Sequence, residues 1–204
     1  MKRKSLLGVL ATAAAALTLT ACGGSGAPAT SAPANPAAPT PPAAVSAAHN
    51  DADISFVQGM IPHHTQAVDM AKQATGQAGS EQVKALAARI EQAQGPEIAQ
   101  MRGFLAAWGA PENAGGDIPG MDHSQSGMSG MMTDAQMQQL GQARGAAFDK
   151  MFLQMMIQHH QGAVQMARTE LTSGQNPQAK TLAQTIIDAQ QSEIAEMQQL
   201  LTSA

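Results

Sequence analysis

The chain has 204 residues, a formal net charge of -4, a single cysteine and no tyrosine. That length suits one ordinary domain. One cysteine excludes an internal disulfide and a thiolate metal cluster, and an acidic chain almost without aromatics lacks both the basic face and the stacking platforms of a nucleic-acid binder.

Residues 1–21 open with the basic "MKRK" and continue with the apolar "SLLGVLATAAAALTLT". The apolar run is too short for a stable membrane anchor and ends in "LTAC", which predicts a lipoprotein signal peptide cleaved before a lipid-bearing Cys22. The expectation is an exported protein tethered to the outer face of the cytoplasmic membrane or held in the cell envelope. Loss of Lys2, Arg3 and Lys4 without any acid lowers the net charge to about -7. Residues 22–49, rich in Pro, Ala, Gly and Ser, carry too little apolar surface to fold and predict a disordered spacer. The folded part is expected over 50–204.

An internal repeat dominates that part. Residues 56–105 align without a gap on 152–201, and about 21 of roughly 50 positions are identical. Each copy predicts a helical hairpin. The first helix is expected from about Asp53 to Thr75 and the second from Ser80, as cap, to about Trp108, before Gly109 and Pro111. In the second copy, Thr133 and Gln136 form a capping box for a helix expected to run on to about Thr172. Asn176 and Pro177 then start the last helix. No segment alternates with period two, so the fold class is all-α, a four-helix bundle of two repeated antiparallel hairpins, about 50–109 and 133–204. Pro62 and Pro96 have no counterpart in the second copy, yet the ungapped repeat favours a continuous, kinked first helix.

At roughly 100° per residue, His63, His64, Met60, Met70, Phe56 and Ala67 share one apolar arc. The second copy repeats the arc with Met156, His159, His160 and Met166. On the returning helices, Glu97 and Met101, and likewise Glu193 and Met197, lie on apolar stripes. A carboxylate there is costly unless a cation or donor meets it. One metal ion accounts for these features together, whereas any single methionine at helical spacing is equally a packing residue. Between the repeats (110–132), Met121, His123, Met128, Met131 and Met132 crowd a glycine-spaced stretch where no core demands them. Thioethers select Cu(I), and imidazole also suits Cu(II).

The pattern "F-x-x-x-M-I-x-H-H-x-x-A-V-x-M-A" at 56–71 and 152–167 resembles the secreted bacterial domain of unknown function 305, across about residues 50–204. The resemblance implies two similar helix pairs in a ferritin-like arrangement. Through CopM-type periplasmic members, it also implies copper binding with His63, His64, His159 and His160 in a functional role. A ferritin-like di-iron oxidase is the rival reading, but it needs Glu-x-x-His motifs. Glu97 and Glu193 are followed three residues on by Gln100 and Glu196. A non-metal, partner-binding lipoprotein is the third reading. The expectation is a metal-binding protein rather than an enzyme. Copper is expected before iron, a copper-transfer protein is an expected partner, and the membrane is met only through the lipid.

Overall fold

The computed structural model describes residues 44–112 and 129–203. The expected signal peptide, Cys22 and most of the spacer lie outside the described residues, as do Met121, His123 and Met128. The described helices are α1 (Asp51–Gln77), α2 (Glu81–Trp108), α3 (Asp134–Gln142), α4 (Gly145–Ser173) and α5 (Pro177–Ser203). The long helices α1 and α2 form one hairpin and α4 and α5 the other. The hairpins meet mainly through α1 against α4, with sparser packing of α2 on α5, so the expected all-α four-helix bundle is present. None of the described helices is long and apolar enough to cross a membrane.

The helix starts are largely those the residues dictate. Asn50 caps α1 in a capping box with Asp53, Thr133 caps α3 with Gln136, and the Asn176 side chain accepts from the Gln178 and Ala179 N–H groups ahead of α5. Helix α1 runs unbroken through Pro62 and α2 through Pro96. Gly109 ends α2 in the left-handed conformation, φ 66°.

Three expectations need correction. The single helix predicted over 133–172 is broken after Gln142, which adds the short α3 to the four-helix plan. The break lets the chain turn at Gly145, φ 60°, and press its backbone on the α1–α2 turn. A Cβ on Gly79 would lie 2.9 Å from Gly145 Cα, so only glycine permits that approach. Ser80 makes no side-chain cap on α2. Asp149 of α4 instead fixes the turn just ahead of α2, its carboxylate accepting from Gly79 N–H at 3.0 Å and Ser80 N–H at 2.9 Å. Finally, ordered packing begins before Asn50. Val45 packs on the core, Ser46 O accepts from the Trp108 indole at 3.2 Å, and His49 stacks on Trp108 at 5.0 Å.

The core divides in two. One cluster joins Phe56, Met60 and Ile61 to Met101, Phe104, Ala163, Leu182 and Ile186. The other joins Ala67, Met70 and Ala74 to Leu86, Ile90, Phe148, Phe152, Met156 and Met197. Each therefore combines the open end of one hairpin with the turn end of the other. Each fully buried large side chain contributes about 1.5–3 kcal/mol. On all four long helices buried histidines or glutamines fall between these clusters, and they form a slab across the middle of the bundle.

Candidate metal centre

The slab consists of His63 and His64 from α1, His159 and His160 from α4, Gln94 and Glu97 from α2, and Gln190 and Glu193 from α5. All four histidines are 0 % exposed, and Gln94 and Gln190 are 2 % and 3 % exposed. The glutamate side chains reach the surface slightly, at 16 % and 18 %. Adjacent histidines diverge by about 100° on a helix. Both can be buried because α1 and α4 are each flanked by a hairpin partner and by each other. One histidine of each pair turns to its own hairpin and the other to the opposite repeat.

His64 Nε2–H donates to Glu97 Oε2 at 2.8 Å, and His160 Nε2–H donates to Glu193 Oε2 at 2.7 Å. His63 and His159 meet each other across the repeat boundary, with ring centroids 3.8 Å apart and planes inclined by 46°. His63 Nε2–H also donates to the Ser129 carbonyl at 3.2 Å. Carboxylate and carbonyl oxygens only accept, so these three partners place the hydrogen on Nε2 and leave the lone pair on Nδ1. Among the described residues, the Nδ1 atoms of all four histidines lack a hydrogen-bond partner, as does Nε2 of His159.

Electrostatics keeps the central pair neutral. Burial, reinforced by His64 and His160, lowers the His63 pKa to about 4 despite the bond to Ser129. Burial and the three neighbouring histidines hold His159 well below the ordinary imidazole value. A neutral imidazole is the form that ligates metals, and a carboxylate on the far nitrogen orients the ring and raises its basicity. As the side chains stand, no three His, Asp or Glu groups converge on one point among the described residues. The slab therefore supplies oriented ligand atoms rather than a finished coordination shell.

The sequence-predicted methionines divide between the two clusters. Met60 and Met101 border the slab from the first, while Met156, Met197 and Met70 belong to the second. All five are 0 % exposed, and Met166 packs partly buried on the first cluster. Met60 and Met156 lie one helical turn before His63 and His159. The expectation that no core uses the methionines of the linker fails at its end. Met131 is 7 % and Met132 0 % exposed, and Met132 packs with Leu140, Phe152 and Met156, because the chain there lies on the bundle.

Sequence reasoning missed Gln94 and Gln190. They are identical at equivalent repeat positions, one turn before each glutamate. Both polar atoms of the Gln94 amide and Oε1 of Gln190 are buried without a partner among the described residues. The repeat identity together with the apolar stripe was the available signal. The contact with Ser129 had no sequence signal at all.

The model of the domain of unknown function DUF305 matches residues 53–201. Among solved structures, a putative secreted DUF305 protein from Streptomyces coelicolor is 36 % identical, with a TM-score of 0.68 over 74 % of this chain and 93 % of that one. A DUF305 fragment from Deinococcus radiodurans is 30 % identical, with a TM-score of 0.68 over 76 % of this chain and 98 % of that one. CopM in its Cu(II)-bound form is 35 % identical, with a TM-score of 0.63 over 74 % of this chain and 96 % of that one. CopM has also been solved in Cu(I)-bound and Ag-bound forms. No match is found among curated proteins. By the match across most of its length, the chain belongs to the DUF305 family.

Proposed function

We propose that the protein is an extracytoplasmic metal-binding protein that takes copper into the polar slab and sequesters it or passes it on. The observation that carries this reading is the set of four fully buried imidazoles whose Nδ1 atoms face no partner. Leaving such groups unpaired costs roughly 1–3 kcal/mol each, and an apolar residue at these positions would avoid that cost. His63, His64, His159 and His160 are the primary ligands. Glu97 and Glu193 hold two of them in the ligating tautomer and supply negative charge to a cation. Met60, Met156, Met101 and Met197 border the imidazoles with thioethers, which suit the reduced ion. Met70, Met166, Met131 and Met132 are secondary donors, as are Met121, His123 and Met128 of the linker.

The copper- and silver-bound forms of CopM support this choice of metal. The "LTAC" sequence supports lipidation at Cys22 and export, and a relative described as a putative secreted protein agrees with an extracytoplasmic location.

Metal analysis of the domain after reconstitution with Cu(II), or with Cu(I) under reductant, tests the proposal. The parent is expected to retain copper, and a variant with His63, His64, His159 and His160 changed to Gln is expected to lose it while keeping its helical circular dichroism. A parent that retains no copper in either state overturns the reading. Iron retained with oxygen consumption would replace it by the oxidase.

A further inference from the structure

None of the four imidazoles touches solvent, so an ion can reach the slab only if some element moves. Ser129–Met132 is placed to be that element. It crosses from α4 to α1 over the central histidine pair, and each end is held by one member of an equivalent pair of repeat positions, Gly162 and Gln66. On α4, a Cβ at Gly162 would lie 1.8 Å from Ser129 O and 2.9 Å from Gly130 Cα. Gly130 has φ 86°, and a Cβ there would lie 2.7 Å from Gln158 O and 3.0 Å from His159 O. Two glycines thus let the segment rest backbone to backbone on the turn that carries His159. On α1, the Gln66 amide holds Met132 from both sides, with Nε2 donating to Met132 O at 2.9 Å and Met132 N–H donating to Oε1 at 2.7 Å. Between these anchors, Ser129 O accepts from His63 Nε2.

We propose that Ser129–Met132 is a strap that gates the histidine slab. This rests on the metal-binding reading above. The segment has no helical hydrogen bonds of its own and is fastened by a few side-chain and packing contacts, so it opens more readily than the helices beneath it. Lifting it uncovers the His63–His159 pair and releases His63 Nε2. The buried thioethers of Met131 and Met132 move with it, so the same motion offers soft donors to the incoming ion. Among the described residues the strap has no counterpart in the other repeat, and it makes the two sequence-equivalent histidines different. His63 is tied to the strap, whereas among the described residues no hydrogen bond from the strap reaches His159.

The test uses Gly162→Ala, in which the strap cannot seat, and Gln66→Ala, in which Met132 is released. Two readouts are taken. One is carbethoxylation of His63 and His159 by diethyl pyrocarbonate in the metal-free chain, located by peptide mapping. The other is the rate at which copper passes from the loaded chain to a chelator. Both variants are expected to accelerate both rates by roughly tenfold or more, the effect of losing one or two modest contacts. Parent-like carbethoxylation in both variants overturns the strap as a cover. Faster carbethoxylation with parent-like copper release overturns it as the gate and moves the ion's route to the partly exposed Glu97 and Glu193. A parent that binds no copper fails the underlying reading, and the gate with it, whereas the carbethoxylation arm still reads the cover.

Discussion

Asp53 and Asp149 occupy equivalent positions in the two repeats, and each binds the turn of the other repeat's hairpin. Asp149 accepts from the N–H groups of Gly79 and Ser80, and Asp53 from those of Gln175 and Asn176, which are the equivalent pair. The two hairpins are thus clasped at both ends, and the slab with its histidines is held in register between the clasps. Asp149→Ala strands two N–H groups at the start of α2. It should destabilise the domain by about 1–3 kcal/mol. Urea unfolding checks this, and a midpoint equal to that of the parent would contradict the clasp.

The clasp at Asp53 carries a pH dependence. Glu170 is 1 % exposed, and burial beside Asp53 raises its pKa to about 8. Burial also pushes Asp53 up, but the neighbouring Glu170 carboxyl and the hydrogen bonds from the N–H groups of Asn176, Asn50 and Gln175 outweigh this and leave its pKa lowered. Glu170 therefore keeps its proton at neutral pH beside the Asp53 carboxylate. The folded state holds a proton that the unfolded state gives up above about 4.5, so stability falls as pH rises from there to about 8. Glu170→Gln keeps the size of the side chain without the titratable proton. Its melting temperature should decline less than the parent's between the two ends of that window.

The central imidazoles titrate in the opposite sense. With the His63 pKa at about 4 against 6.5 unfolded, the unfolded chain binds protons in that window that the folded chain refuses. Stability is complete above 6.5 and falls as pH drops toward 4. His63→Gln with His159→Gln should flatten this acid limb in melting experiments on the metal-free domain. Copper should leave the parent over the same range, because protonation competes for the ligand atoms.

Glu97 and Glu193 orient the rings of His64 and His160 through single hydrogen bonds. Glu97→Gln or Glu193→Gln removes the charge and the strong acceptor, and should weaken copper binding by about 10–100-fold. Competition with a chelator measures it, with circular dichroism unchanged. Equal affinity in parent and both variants would assign the glutamates to packing alone.

Gln94 and Gln190 offer a separate reading of the slab. Changing both to Leu removes unpaired amides from the interior and should leave the metal-free domain as stable or stabilise it by about 1 kcal/mol. Thermal melting without metal checks this. A marked loss of stability would show that the amides are hydrogen-bonded in solution.

Much of the site was legible in the residues. The repeat and the 3.6-residue period placed both histidines, the flanking methionines and the glutamates on inward faces, because a helix sets those relations within a few residues. The failures fall where distant segments touch. The turn at Gly145 lies against Gly79, and the entry to α2 is held by Asp149 rather than by a Ser80 cap. The seating of Met132 depends on Gln66, a residue of α1 distant in sequence.

The sequence alone determined a duplicated helical hairpin with a paired-histidine face and a returning glutamate in each copy. Periodicity, capping residues and repeat identity are local properties of the chain. Only the tertiary structure decided that the hairpins pack side by side in opposite directions. That packing brings His63 against His159, makes each aspartate clasp the other hairpin and lays the strap over the pair. Those outcomes depend on how two preformed surfaces fit together, and no local pattern encodes that fit.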